Sequence, residues 1–297
     1  GVLKGRDHFT FTYEVILPEL KDSTFLWMSL VQSDPFQKGD VRTMELPALA
    51  DTLTDPLYGN KALYLQLSPD DSEQSIVLKY EIERMEKSAY REEVIQTDRY
   101  LESSELLPVN DRFRDLSAEI IAEKEAENPL SKARALYDYI IDNLRYAKQG
   151  TYGTADATYA CDAKSGNCTE FHSLFISLAR SAGIPARFAV GAAIPSERNE
   201  GGINGYHCWA EFYAEGKWWP VDISEANKYT ALATYYFGHH PANRVEFSKG
   251  RDIVFIPSPE SGSMPFFAYP VLEKKGGQEI PVRTEFSFQR ILKENEQ

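Results

Sequence analysis

One cysteine stands in a sequence setting that suits nucleophilic chemistry. Cys168 follows Gly166 and Asn167 and precedes an apolar pattern with helical spacing. Asn167 suits a helix N-cap, and Glu170 three residues later completes a capping box. The first turn of a helix lies at the positive end of the helix dipole, which favours the thiolate over the thiol. The pattern predicts Cys168 as a nucleophile, with a buried structural cysteine as the alternative.

The residues after Cys168 predict the helix that would hold it. Gly183 and Pro185 then end that helix. The apolar positions that follow the helical period are Phe171, Leu174, Phe175, Leu178 and Ala182. Because Cys168 shares the face of Phe171 and Phe175, its thiol should point at whatever the helix packs on.

A histidine and an aspartate fall on two segments that should pair as a hairpin. A two-residue turn at 215–216 would place Asp222 opposite Trp209 and diagonal to His207. Backbones at diagonal positions lie roughly 7–8 Å apart, a gap that side chains can bridge. A carboxylate there would hold the imidazole in one tautomer. A slip of one residue would turn Asp222 to the opposite face, so this interpretation depends on the turn.

Side-chain alternation divides the hairpin into an apolar face and a more polar face. The apolar face, which we expect to join the core, holds Cys208, Ala210, Phe212, Trp219, Val221 and Ile223. The other face holds His207, Trp209, Glu211, Tyr213, Trp218, Pro220 and Asp222. On that face Trp209 lies beside His207, so we expect Trp209 to line a substrate cleft.

Four segments in order resemble the transglutaminase-like core, a branch of the papain-like cysteine-protease architecture. They read Gly166-Asn167-Cys168, Gly183-Ile184-Pro185-Ala186-Arg187, His207-Cys208-Trp209-Ala210-Glu211 and Trp218-Trp219-Pro220-Val221-Asp222. The resemblance implies that Cys168 is the nucleophile, His207 the base and acid, and Asp222 the residue that orients the imidazole. The superfamily includes cross-linking enzymes, peptidases, amidases, deglycosylating enzymes and inactive members, so it does not define the reaction.

The resemblance favours a cysteine-dependent amide-bond enzyme that acts on peptide or protein substrates through an acyl-enzyme. Hydrolysis is favoured over acyl transfer, because no segment indicates a dedicated amine site. A catalytically silent binding or scaffolding protein with the same fold is the alternative. Attack on the amide carbonyl creates an oxyanion. The backbone N–H of Cys168 would donate a hydrogen bond to it, and so would a second donor upstream, either Tyr159 or Tyr152.

The fold class follows from a change in periodicity along the chain. Segments 9–17, 62–67 and 75–82 alternate like strands, whereas 117–127 and 130–146 show helical patterns. We therefore predict an α+β protein with a small all-β, sandwich-like domain over 1–106. A papain-like/transglutaminase-like core should follow over 107–297, with helices packed on an antiparallel sheet and with the C-terminal strands included.

Composition limits the partners. The net charge of the 297-residue chain is -13, which argues against nucleic acid, and no apolar run is long enough to span a membrane. We expect no cofactor and no metal, because the spacing of the histidines and of the three cysteines fits none of the common zinc patterns. A chain that begins at Gly1 suggests processing, so we expect a periplasmic or secreted location rather than a cytoplasmic one. The oligomeric state stays open.

Overall fold

The computed structural model describes residues 1–293 and divides them into two compact units. The strand-rich unit comprises Gly1–Glu86, Val190–His207 and the chain from Pro241 onward. The helix-rich unit comprises Lys87–Ala189 and Cys208–His240. Helices and antiparallel strands both contribute, so the predicted α+β class is confirmed.

The elements are numbered in chain order. The strands are β1 (Arg6–Ile16), β2 (Thr24–Leu30), β3 (Gln37–Glu45), β4 (Ala50–Thr54), β5 (Lys61–Leu67), β6 (Ser75–Met85), β7 (Arg145–Tyr146), β8 (Ser165–Gly166), β9 (Ala186–Ala193), β10 (Glu200–Ile203), β11 (His207–Ala214), β12 (Lys217–Val221), β13 (Arg244–Lys249), β14 (Val271–Lys274) and β15 (Arg283–Arg290). The helices are α1 (Asp111–Glu123), α2 (Pro129–Asn143), α3 (Ala157–Ala163), α4 (Cys168–Ser181) and α5 (Ile223–Lys228).

The strand-rich unit contains two sheets, with the orders β10-β15-β1-β6-β3 and β14-β2-β5-β4. The central strands β1 and β6 pair antiparallel along their whole lengths. On each of them every second side chain is buried, which is the pattern of strands that cover a core with one face. The buried apolar side chains of the two strands are Phe9, Phe11, Tyr13, Val15, Ile76, Leu78, Tyr80 and Ile82.

The C-terminal strands belong with the N-terminal ones, which corrects the predicted division at 106. Strand β15 pairs with β1 and β14 pairs with β2, so these strands are not part of the helical core. The first stretch of the strand-rich unit also ends at Glu86, earlier than predicted. The last residues of the predicted 107–297 domain, 294–297, lie outside the described residues. Alternation identifies a strand, but it does not name the partner across the sheet.

The helix-rich unit is organised around α4, which contacts α1, α2, α3 and α5. Every residue from Cys168 to Arg180 is buried, as expected of a helix enclosed by other elements on all sides. The chain leaves the helix through Gly183, whose φ of 78° lies in the left-handed region. The start of α4 therefore lies inside the helix-rich unit.

Strands β11 and β12 form the predicted hairpin in the predicted register. Glu215 and Gly216 occupy the turn with φ values of 53° and 73°, as a type I′ turn requires. Ala214 pairs with Lys217 and Ala210 with Val221. The sheet order is β12-β11-β9-β13, and β9 supplies its first residues to this unit and its last to the other.

A membrane-spanning helix would need a long apolar run. None of the helices found within residues 1–293 meets that requirement.

Candidate active site

The start of α4 is built by the capping box that the sequence predicts. The Asn167 side chain accepts a hydrogen bond from the Thr169 backbone N–H at 2.9 Å. The Glu170 carboxylate in turn accepts from the Asn167 N–H at 2.9 Å. A Cβ at Gly166 would lie 2.4 Å from Cγ of Glu170, so only glycine fits before the cap. Cys168 is therefore the first helical residue, and its exposed fraction is 2%.

Asp222 caps a second helix instead of lying inside a strand. Its Oδ1 accepts from the Glu225 N–H at 3.1 Å and from the Ser224 hydroxyl at 3.2 Å. The side chain is fully buried at the first turn of α5. The cap explains how the Asp222 carboxylate is held, and the predicted position of Asp222 diagonal to His207 stays a prediction.

His172 joins the first turns of the two helices. Its Nδ1 lies 2.8 Å from the carbonyl oxygen of Cys168, and its Nε2 lies 3.0 Å from the backbone nitrogen of Ile223. A backbone N–H can only donate, so Nε2 must be the unprotonated acceptor and Nδ1 must carry the proton. The ring is therefore neutral. Nε2 also lies 4.0 Å from Oδ1 of Asp222. Because the ring is neutral, this contact is not an ion pair, and it shows only that the two helix starts lie close together.

We predict that the two hydrogen bonds of His172, to the Cys168 carbonyl and from the Ile223 N–H, position Asp222. Two substitutions test the two bonds separately. His172→Gln can keep the acceptor for Ile223, whereas His172→Asn can keep only the donor to Cys168. Since a net hydrogen bond contributes about 1 kcal/mol, we expect kcat to fall about fivefold further in His172→Asn than in His172→Gln. Thermal unfolding of both variants and of the control His239→Gln would accompany the kinetics. Equal kcat values in the two variants would reduce His172 to a packing residue.

Cys208 is buried on the face that alternation predicts, but it also belongs to the site. Its sulfur lies 3.8 Å from Nδ1 of His172. Burial, followed by contact with the Cys168 side chain, raises the pKa of the Cys208 thiol well above its ordinary value. Cys208 is thus a protonated neighbour of the candidate nucleophile. His207, the residue before it, is buried and begins β11.

Tyr146 is a site residue that the sequence analysis missed. It pairs with Gly166 in the short parallel ladder of β7 and β8, directly before the helix cap. Burial, and then the charge of Cys168, raise the pKa of Tyr146 to about 12. The Lys228 ammonium lies 3.8 Å from the centre of the Tyr146 ring. No local pattern marks a two-residue strand, so only the pairing reveals this tyrosine.

A family model matches part of this chain. Residues 114–223, which include Cys168, His207 and Asp222, match the model of the transglutaminase-like superfamily. Over this segment, which is less than half of its length, the chain is similar to a transglutaminase-like core. The predicted resemblance is thereby confirmed for this segment.

Relatives extend the likeness beyond the core. An uncharacterised protein of Haemophilus influenzae is 26% identical over 318 aligned positions, which cover 90% of this chain and 85% of the relative. A solved structure from Cytophaga hutchinsonii, described as a candidate cysteine protease, superposes with a TM-score of 0.67 at 16% identity. That match covers 98% of this chain and 93% of the other. The periplasmic domain of TgpA from Pseudomonas aeruginosa is more distant, with a TM-score of 0.40 at 17% identity. That match covers 76% of this chain and 91% of the TgpA domain.

Three further residues were predicted to lie near the site: Tyr159, Tyr152 and Trp209. The Tyr159 hydroxyl donates to the carbonyl oxygen of Thr151 at 2.5 Å, and Tyr152 is 42% exposed. Their role as oxyanion donors stays a prediction. Trp209 has no exposed surface and packs 5.7 Å from the His240 ring, so the expectation that it lines an open cleft is wrong. The hairpin is covered on both faces, which alternation could not reveal.

The other polar residue of this strand, Glu211, anchors a buried charge network. Its carboxylate lies 3.2 Å from the Lys87 ammonium and accepts from the Tyr90 hydroxyl at 2.5 Å. Nη2 of Arg187 lies 3.7 Å from Oε2 of Glu211. Burial alone would raise the pKa of Glu211, but the charges of Lys87 and Arg187 outweigh it and hold that pKa well below its usual range.

We expect Glu211→Gln to lower the free energy of unfolding by about 3–5 kcal/mol at pH 7, because it leaves Lys87 buried without its counter-charge. A carboxyl with a depressed pKa stabilises the fold above its unfolded pKa of about 4.3, and this contribution is lost as the pH falls through the folded value. The difference between variant and wild type should therefore shrink on acidification. Urea unfolding at several pH values checks this, with the exposed Glu123→Gln as control. A loss under 1 kcal/mol at pH 7 would contradict it.

A metal site was the main rival interpretation of the cysteines and histidines. Within residues 1–293, the group whose possible ligand atoms all lie within 4.8 Å of one another is His8, Glu81 and Glu83. It lies in the strand-rich unit, where Arg42 also donates to Glu81. The cysteines contribute no atom to this group.

Proposed function

We propose that the protein is a cysteine-dependent amide-bond enzyme that acts on peptide or protein substrates through an acyl-enzyme. The observation that carries the proposal is the joining of two capped helix starts. One presents Cys168 and the other holds the Asp222 carboxylate, and His172 bonds to both backbones. A nucleophile and an acidic group fixed in one buried place are what acyl transfer chemistry needs.

The proposed reaction uses three residues of this chain. His207 takes the proton of Cys168, and the thiolate attacks the amide carbonyl carbon. His207 then gives that proton to the leaving amine as the C–N bond breaks and the thioester remains. Asp222 orients the imidazole and stabilises its charged form. The backbone N–H of Cys168 at the helix start is the proposed first donor to the oxyanion.

Water completes the reaction in our proposal, which makes the enzyme a peptidase or amidase. Attack of an amine on the same thioester would make it an acyltransferase instead. Mass spectrometry of products formed with and without an added primary amine distinguishes the two. A product that carries the amine in preference to water would overturn the hydrolytic assignment while leaving the acyl-enzyme in place. We also propose a periplasmic or secreted location, which cell fractionation tests.

Selective alkylation is the experiment that tests the nucleophile. We expect iodoacetamide to label Cys168 with a rate that titrates well below the roughly 8.5 of a free cysteine, and His207→Ala to move this titration upward. Substrate should protect Cys168, and EDTA should leave activity unchanged. Cys161→Ala serves as control, because Cys161 lies half-buried on α3. A chelator-sensitive enzyme that is indifferent to iodoacetamide would overturn the proposal.

A catalytically silent binding protein is the second candidate. In that case Cys168 would react with iodoacetamide no faster than an ordinary buried thiol, and no substrate would protect it. The same alkylation experiment therefore decides between the two candidates.

A further inference from the structure

The strand-rich unit contains a polar cavity of about 670 Å³ that is separate from the chemistry of Cys168. Five lysine and arginine side chains line it, against three carboxylates. This local excess of positive charge contrasts with the net charge of -13 for the chain. An excess of positive charge in a concave surface concentrates negative ions there, so the cavity favours an anion.

Arg84 lines this cavity and occupies a core position of β6. The alternation that buries Leu78, Tyr80 and Ile82 continues to Arg84, which is only 1% exposed. An apolar side chain is expected there. A buried guanidinium is costly unless it is paired and hydrogen-bonded, so its presence at this position calls for a partner.

The hydrogen bonds of Arg84 leave one edge of the guanidinium without an acceptor. Nη1 donates to the side-chain oxygen of Gln37 at 3.0 Å. That oxygen also accepts from the Glu246 N–H at 2.8 Å, so Gln37 is held in place. Nε and Nη2 are buried, and neither meets an acceptor among residues 1–293. These two nitrogens form the edge that binds the two oxygens of a carboxylate side by side.

A second arginine of the same cavity shows what this edge binds. Nε and Nη2 of Arg290 donate to the two oxygens of Asp7, both at 2.9 Å. Asp7 lies directly across from Arg84 on β1, but its two oxygens are used by Arg290. The carboxylate that pairs with Arg84 across the sheet is therefore committed elsewhere.

We propose that this cavity binds a carboxylate group from outside the chain, which meets Nε and Nη2 of Arg84 after a rotation of the buried guanidinium. The carboxylate belongs either to a small organic acid or to the C-terminus of a short peptide. A planar group with a single negative charge suits the site better than phosphate, because Asp34 and Glu83 also line the cavity and repel a second charge. The proposal is independent of the reaction at Cys168.

Calorimetric titration of the whole protein tests it with four probes: acetate, inorganic phosphate, trialanine with a free C-terminus and trialanine amide. We expect acetate and free trialanine to bind, phosphate to bind more weakly, and the amide not to bind. Tighter binding of trialanine than of acetate would identify a peptide terminus as the ligand, and the reverse a small acid. Failure of both carboxylates to bind, or a preference for phosphate, would overturn the proposal.

Substitutions of Arg84 locate the binding. We expect Arg84→Met to weaken carboxylate binding about tenfold or more, and Arg84→Lys to weaken it as well, since lysine keeps the charge but lacks the paired donors. Arg84→Met removes an unpaired buried charge, so its melting temperature should equal or exceed that of wild type. Acetate should raise the melting temperature of wild type and of the exposed control Arg283→Gln, but not of Arg84→Met. Equal binding by Arg84→Met and wild type would contradict the assignment.

Discussion

Cys168→Ala is expected to abolish turnover, by about 10⁴-fold or more, while the protein stays folded. The substitution removes the only atom proposed to form the thioester, and the neighbouring Cys208 thiol is kept protonated by its raised pKa. Alanine is the best helix former, and the cap made by Asn167 and Glu170 does not involve the Cys168 side chain. The melting temperature should therefore change by only a few degrees.

The measurement is kcat on any peptide amide that the wild-type protein turns over, together with circular dichroism of the variant. Cys161→Ala is the matched control, because it removes a thiol of the same unit that lies on α3. Cys208→Ala is not a suitable control, since the Cys208 thiol contacts Cys168. Retention of full activity in Cys168→Ala would remove the proposed mechanism.

Asp222→Asn should reduce kcat by two to four orders of magnitude with little effect on stability, by analogy with the orienting carboxylate of serine-protease triads. Asparagine caps helices as well as aspartate does, and its carbonyl oxygen can keep the bonds to Ser224 and Glu225. What the variant loses is the negative charge that would stabilise the imidazolium of His207. The expected loss is therefore in the rate and not in the fold.

The matched control is Asp156→Asn, which makes the same change at the N-cap of α3, where the side chain accepts from Thr158 and Tyr159. Its kcat should equal that of wild type. If Asp222→Asn keeps wild-type kcat, Asp222 acts only as a helix cap. If Asp222→Asn lowers the melting temperature sharply and Asp156→Asn does not, the buried charge serves stability before catalysis.

Short-range patterns in the sequence specified the parts of the site that depend on neighbouring residues. The capping box around Cys168 and the hairpin turn at 215–216 were both predicted and are both present. Each depends on contacts within a few residues, where backbone conformation and side-chain type are tightly coupled. The register of the hairpin from Ala210 to Val221 follows from the turn alone.

The tertiary structure decided what distant segments do to one another. His172 could have been an ordinary packed residue, and only the approach of α5 gives its Nε2 the Ile223 N–H to accept. Tyr146 enters the site through a two-residue ladder, and β15 joins β1 from the other end of the chain. The burial of Arg84 likewise follows a strand pattern, but its free carboxylate-binding edge depends on Asp7 already being bound to Arg290. Sequence periodicity reports which face of an element is buried, whereas the partner that covers this face is selected by the packing of the whole chain.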